Sequence, residues 1–203
     1  MKVKEYPRSL IRSLLLGIKK QKPSAVKEDI ECIVSLTSIP SRLKTLHLTV
    51  KSLLLQDYTS KKIILWLNTE LRDSVPKKLL KLQCDTFEII FKDRFSSHRK
   101  LVFSLQAFPA SVIVTCDDDL MYESTWLRRL VQDHLRFPQD IIAHECREIM
   151  VGSENQLLPY KKWPTTERAD YTALNLLPIG YGGVLYPPDV LHSDVVDEAL
   201  YMR

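Results

Sequence analysis

The chain has 203 residues, with 29 Lys and Arg against 25 Asp and Glu, 45% hydrophobic and 8% aromatic residues, and 5 Gly beside 11 Pro. That apolar content and the modest net charge of +4 exclude a disordered or collagen-like chain and allow one sizeable core. The longest uninterrupted apolar run is residues 63–67, far short of the roughly 20 that a membrane-spanning helix needs.

Charge is unevenly spread. Residues 1–27 hold Lys2, Lys4, Arg8, Arg12, Lys19, Lys20, Lys22 and Lys27 against Glu5 alone, and the rest of the chain is slightly acidic. Within this segment Leu10, Ile11, Leu14, Leu15 and Ile18 recur at helical spacing, so a helix here would be apolar on one side and basic on the other. Two readings stand: peripheral contact with an anionic membrane surface, or packing against the domain body or a partner. Nucleic acid is not the expected partner, because the body is acidic and the aromatics are not interleaved with the basic residues. The chain therefore divides into a basic amphipathic segment, 1–29, and one domain, 30–203. Cys32, Cys84, Cys116 and Cys146 show neither zinc-ligand nor redox-motif spacing, and residues 1–20 lack the apolar h-region of a signal peptide. A cytoplasmic location with structural thiols is the expectation.

Beyond a linker-like stretch at 22–29, β-rich runs alternate with helical patterns. Residues 32–37 predict a buried strand, and Leu43, Leu46, Val50, Leu53 and Leu54 mark an amphipathic helix that begins after Pro40. Strands follow at 61–68 and 86–91, with a short helix at 76–82 between them. Residues 97–108 predict a helix stopped by Pro109, and 111–116 a fourth strand. Ser124 is placed to cap a helix whose Leu127, Leu130, Val131 and Leu135 share a face, and 140–146 predicts a fifth strand. The alternation implies an α/β three-layer sandwich of Rossmann type, its mostly parallel central sheet flanked by helices. From residue 148 onward the text turns polar and Pro-rich, with Gly180, Gly182 and Gly183 clustered.

Ligands of such sheets bind beyond the carboxyl ends of the strands, and there Asp117, Asp118 and Asp119 follow directly on the apolar run SVIVTC. Three adjacent carboxylates repel one another unless a cation or donor hydrogen bonds offset the repulsion. Alternation in extended chain sends Asp117 and Asp119 to one side and Asp118 to the other. That spacing suits a shared Mn²⁺ or Mg²⁺, whose remaining positions would go to water and diphosphate oxygens. The bland reading is that Asp118 or Asp119 caps the next turn. A nucleotidyltransferase would need a Gly-rich basic loop after the first strand, and SLTSIPSRLK has no glycine.

SLTSIPSRLKTLHLTVKSLLLQ, KIILWLN, HRKLVFSLQAFPASVIVTCDDDLMY and LPIGYGGVLYPPDVLH, in that order, together resemble bacterial glycosyltransferases of GT-A fold, related to the family-2 type enzymes of polysaccharide and lipopolysaccharide assembly. The resemblance implies a nucleotide-sugar donor, a glycan or lipid-linked acceptor and a divalent metal. Asp117, Asp118 and Asp119 resemble the family's DXD motif, with Asp117 facing the donor nucleotide and Asp117 and Asp119 at the metal. Thr37, Pro40 and Arg42 then border the nucleoside, and Asn68 stands where many relatives carry an Asp. Lys100 would meet a phosphate, and Gly182 and Gly183 would line the sugar or acceptor pocket. His47 and His98 have ordinary surface readings. Tyr160 and Trp163 suit either sugar stacking or the packing of a loop between prolines.

Sugar transfer breaks the bond between the anomeric carbon and a diphosphate, and the charge that develops there must be stabilised. The inverting version also needs a carboxylate to take the acceptor proton. The resemblance places that base on a Pro-Thr-Ala-Asp-Asp-aromatic segment after the text HSDVVDEALYMR. The expectation is therefore a donor and metal half-site whose base lies beyond Arg203, and a catalytically impaired nucleotide-sugar binding or scaffold protein is the alternative.

Overall fold

The structure, a computed structural model, describes residues 30–93, 96–166 and 171–201, so the basic amphipathic segment 1–29 lies outside the described residues. The strands are β1 (Cys32–Thr37), β2 (Lys62–Asn68), β3 (Phe87–Lys92), β4 (Val112–Thr115), β5 (Ile142–Ala143), β6 (Cys146–Glu148), β7 (Leu176–Pro178) and β8 (Val184–Tyr186). The helices are α1 (Leu43–Leu54), α2 (Lys77–Leu80), α3 (Arg99–Ala107), α4 (Trp126–Arg136) and α5 (Glu198–Tyr201). Six strands form one sheet in the order β3-β2-β1-β4-β8-β5, and β6 pairs with β7 in a separate antiparallel ribbon. The run β3-β2-β1-β4 is parallel; β8 is antiparallel to both its neighbours.

The near-continuous apolar text of the inner strands has a simple cause, since helices cover both faces. Side chains alternate along each strand. Cys32, Val34 and Leu36 of β1, Ile63, Leu65 and Leu67 of β2, and Val112 and Val114 of β4 share one core with Leu46 and Val50 of α1 and Leu127 and Leu130 of α4. Their neighbours Ile33, Ile64, Trp66 and Ile113 point the other way, against Val102 and Phe103 of α3. The result is an α/β three-layer sandwich, as the alternation predicts.

Local boundaries follow local chemistry. Pro40 opens a 3-10 turn, Pro40–Arg42, that leads into α1, consistent with proline at the start of a helix. Pro76 precedes α2, and α3 ends at Ala107 just before Pro109. Ser124 does not cap α4: Thr125 holds the N-cap position and makes no side-chain capping bond. The expected fifth strand is two strands. After β5 the His144 N–H still donates to the Gly183 carbonyl, but the Glu145 carbonyl accepts from the Ile179 N–H, so the chain changes partner from β8 to the β7 side there. β8 itself lies in the Gly- and Pro-rich text, where its three residues carry no period. No helix among the described residues is long and apolar enough to cross a membrane.

Candidate functional site

The strand order reverses between β1 and β4, with β2 leaving to one side of β1 and β4 lying on the other. Backbone loops diverge at such a switch point and leave a crevice. A cavity of about 420 Å³ opens there, lined by Thr37, Ser38, Ile39, Arg42, Ser96, Ser97, Arg99, Lys100, Asp117 and Asp118. Its size falls in the range of small-molecule sites.

The triplet behaves as alternation predicts: the Asp118 side chain is 4% exposed, while those of Asp117 and Asp119 are each 34% exposed. The buried carboxylate is fully engaged. Asp118 accepts from the Ser38 hydroxyl and from Arg42 Nη1, both at 2.5 Å, and its carbonyl accepts from the Thr49 hydroxyl at 2.9 Å. Arg42 Nη2 also lies 3.3 Å from Asp119. Burial works against the Arg42 charge, but its hydrogen bond to Asp118 and the charges of all three carboxylates overcome it, so its pKa is raised. Asp118 therefore caps nothing; it anchors the loop after β1 to the end of β4.

On the other side Lys100 Nζ donates to Asp117 Oδ1 at 2.5 Å and to the Cys116 carbonyl at 3.1 Å. A buried relay sets this lysine: the Trp66 indole N–H donates to Ser104 Oγ, Ser104 to Ser35 Oγ, and Ser35 to the Lys100 carbonyl. The Asp117 N–H donates to the Tyr122 hydroxyl, which in turn donates to the Tyr181 carbonyl at 3.1 Å. Burial drives the Tyr122 phenol well above its ordinary pKa, so it stays protonated in this role. Burial also pushes the neighbouring Cys116 thiol up to about 12, which makes it an inert core group.

Of the residues singled out in the sequence, Thr37, Arg42, Lys100, Asp117 and Asp118 line this one cavity. Asp119 joins them through Arg42. Asn68 stands apart: it is buried at the end of β2, and its side chain accepts from the Glu70 N–H, which caps the following turn. Pro40 shapes the entry to α1. In the glycine cluster it is Gly180 that lies against the Lys100–Asp117 pair, since a Cβ there would stand 3.7 Å from Lys100 Nζ and 3.8 Å from Asp117 Oδ1. Gly182 lies against His144 and Glu145, and Gly183, with φ +101°, against the Trp126 ring. Two residues that the sequence did not mark are Ser38 and Arg99. Arg99 is 1% exposed, lines the cavity, and donates to the carbonyls of Ser96 and Ser38. Its position directly before Lys100, in the text HRKL, is the only sequence signal it gives.

Three cations, Arg42, Arg99 and Lys100, thus converge on the crevice, an arrangement suited to a phosphate-bearing ligand. A resident divalent ion fits less well. Among the described residues no three His, Cys, Asp or Glu side chains gather as a metal site, and Asp117 and Asp119 already face Lys100 and Arg42. The repulsion within the triplet is offset by the protein's own cations.

The sequence profile of glycosyl transferase family 2 matches residues 39–192, and the chain belongs to that family. Its fold is GT-A-like. No curated protein matches the chain. Among solved structures it is similar to the 4-diphosphocytidyl-2C-methyl-D-erythritol synthase of Anaerococcus prevotii, at 14% identity and a TM-score of 0.45, over 68% of this chain and 66% of that one. The inositol-1-phosphate CTP transferase of T. maritima gives 12% and 0.45, over 79% and 71%. A mannosyltransferase from Pyrobaculum calidifontis, in complex with GDP-Man and Mn²⁺, gives 14% and 0.39, over 60% of this chain and 37% of that one.

Proposed function

We propose that the chain binds a nucleotide-sugar donor in the crevice between β1 and β4 and acts within its family as a nucleotide-sugar binding protein. The observation that carries this reading is the closure of the acidic triplet by Arg42 and Lys100, which leaves the cavity edged with basic groups around carboxylates that are already neutralised. In this reading the diphosphate lies against Lys100 and the buried Arg99, and the nucleoside extends along Thr37, Ser38 and Ile39. Asp117 and Asp118 hold the two halves of the cradle together.

A second reading, metal-dependent sugar transfer to a glycan or lipid-linked acceptor, is favoured by one observation: Asp117 and Asp119 keep a third of each side chain open to solvent. Mn²⁺ or Mg²⁺ would draw on those two carboxylates and on donor oxygens. In the first reading the basic residues bind the donor diphosphate; in the second they would also stabilise the charge that develops on it as it leaves.

Titration calorimetry with uridine, guanosine and cytidine diphosphate sugars, with chelator and with Mn²⁺, separates the two. Binding that survives chelation and weakens roughly tenfold or more in Lys100→Ala, the loss of one charge-assisted contact, is the expected result. Absence of binding to every donor under both conditions overturns the proposal. Donor consumption that appears only with Mn²⁺ establishes the second reading in place of the first.

A further inference from the structure

At the β5 edge of the sheet a groove of about 390 Å³ opens between the C-terminal end of α4, β5 and the chain leading into β7. It shares no lining residue with the crevice. Phe137, Ile141, Ile142 and Leu176 form part of its apolar wall, and each is only half-buried. Leu174, which also lines it, is fully exposed. Large apolar side chains left contiguous at a surface mark a place that something else covers.

The charged groups among the described residues that line the groove are both carboxylates, Asp133 and Asp140. Asp133 lies 3.3 Å from Arg136, and Asp140 accepts from the Thr172 hydroxyl at 2.9 Å. Phe137 directly follows the last turn of α4, so the negative end of that helix dipole adds to the carboxylates. The groove thus offers apolar walls together with negative charge.

One segment of this chain carries the complement of both. Leu10, Ile11, Leu14, Leu15 and Ile18 recur at helical spacing, with Arg8, Arg12, Lys19 and Lys20 beside them. Anchors at that spacing are what an amphipathic helix lays into an apolar groove.

The connection is long enough. Ile30 is held below β1 by Tyr58, whose hydroxyl accepts from the Ile30 N–H at 3.0 Å and donates to its carbonyl at 2.7 Å. Pairing runs from Val34 through Val114 and Leu185 to Ile142, which sets β5 level with β1 across the sheet. At about 4.8 Å per strand the three steps cover about 15 Å, whereas residues 19–29 can extend to about 36 Å. Covalent attachment then keeps the segment at an effective concentration on the order of millimolar beside the groove.

We infer that the apolar side of residues 10–18 seats in this groove, with the basic residues beside it facing Asp133 and Asp140. The seated side is then closed to lipid. This inference does not depend on what the crevice binds.

Zero-length carbodiimide coupling of the full chain tests it, because the reagent joins a lysine amine only to a carboxylate in contact with it. The expected product is an intrachain amide between Lys2, Lys4, Lys19, Lys20 or Lys22 and Asp133 or Asp140, located by mass spectrometry and unchanged in yield on dilution. Its yield should fall roughly tenfold in the double variant Ile11→Ser, Leu14→Ser, which alters no described residue and whose folding is checked by circular dichroism. Coupling that reaches neither aspartate, or that persists undiminished in the double variant, overturns the inference. So does coupling that disappears on dilution, which would seat a second copy in the groove. Cosedimentation with phosphatidylserine vesicles that is lost in the double variant, without coupling in the absence of vesicles, overturns it in favour of the membrane surface.

Discussion

Arg42 bridges two carboxylates from the start of α1, and one of them, on Asp118, is buried with the Ser38 hydroxyl as its remaining side-chain partner. Removing the guanidinium strands a buried charge. A fully buried pair broken in this way costs about 3–5 kcal/mol. Arg42 is itself partly solvated and Ser38 remains, so Arg42→Ala is expected to lose about 2 kcal/mol by urea denaturation; a loss below about 0.5 kcal/mol would mean that the pair stabilises nothing. At this scale the sequence was partly legible. Three aspartates after a buried strand marked the place, and strand alternation assigned their sides. That Ser38 and Arg99 belong to the same site was not legible, because a serine in a turn and an arginine opening a helix have ordinary local explanations.

Helix α3 links the core to the crevice through one polar relay. Ser104, fully buried, accepts from the Trp66 indole and donates to Ser35, whose hydroxyl holds the Lys100 carbonyl. Ser104→Ala leaves the Trp66 N–H buried without that acceptor. The expected cost is about 1–3 kcal/mol of unfolding free energy, and an unchanged urea midpoint would contradict it. The parallel strands were legible in the sequence to within a residue or so, because burial on both faces gives unbroken apolar runs. The far edge was not. β5, β6 and β8 have two or three residues each, too short for any period, and β8 sits between glycines and prolines. Their places come from pairing with strands distant in the chain.

Three histidines give the whole molecule an acid sensitivity. Burial lowers the pKa of His134 below 6.5, and the His134 Nδ1 is buried with no hydrogen-bond partner among the described residues. Burial also lowers His144, against the opposing bond to the Trp126 carbonyl, and His47, against a backbone bond to Lys44. Each folded-state pKa lies below the unfolded value, so the unfolded chain binds more protons in that window. Stability is then full above about pH 6.5 and falls as the pH drops through the window. Urea midpoints compared between pH 7.5 and 5.5 should decline in the wild-type protein and decline less in His134→Gln. An equal decline in both would remove His134 from the account.

The amino-acid sequence by itself determined the layered α/β architecture, the parallel strands and the position of the acidic triplet, because hydrophobic period and proline placement act over neighbouring residues. Only the tertiary structure decided what the triplet faces. Lys100 and Arg42 come from segments far from it in the chain and meet it where the strand order reverses, so the balance between carboxylates and cations that shapes the crevice exists only after folding. Glu145 and Tyr181, just outside β6 and β7, likewise become neighbours only because those two strands pair.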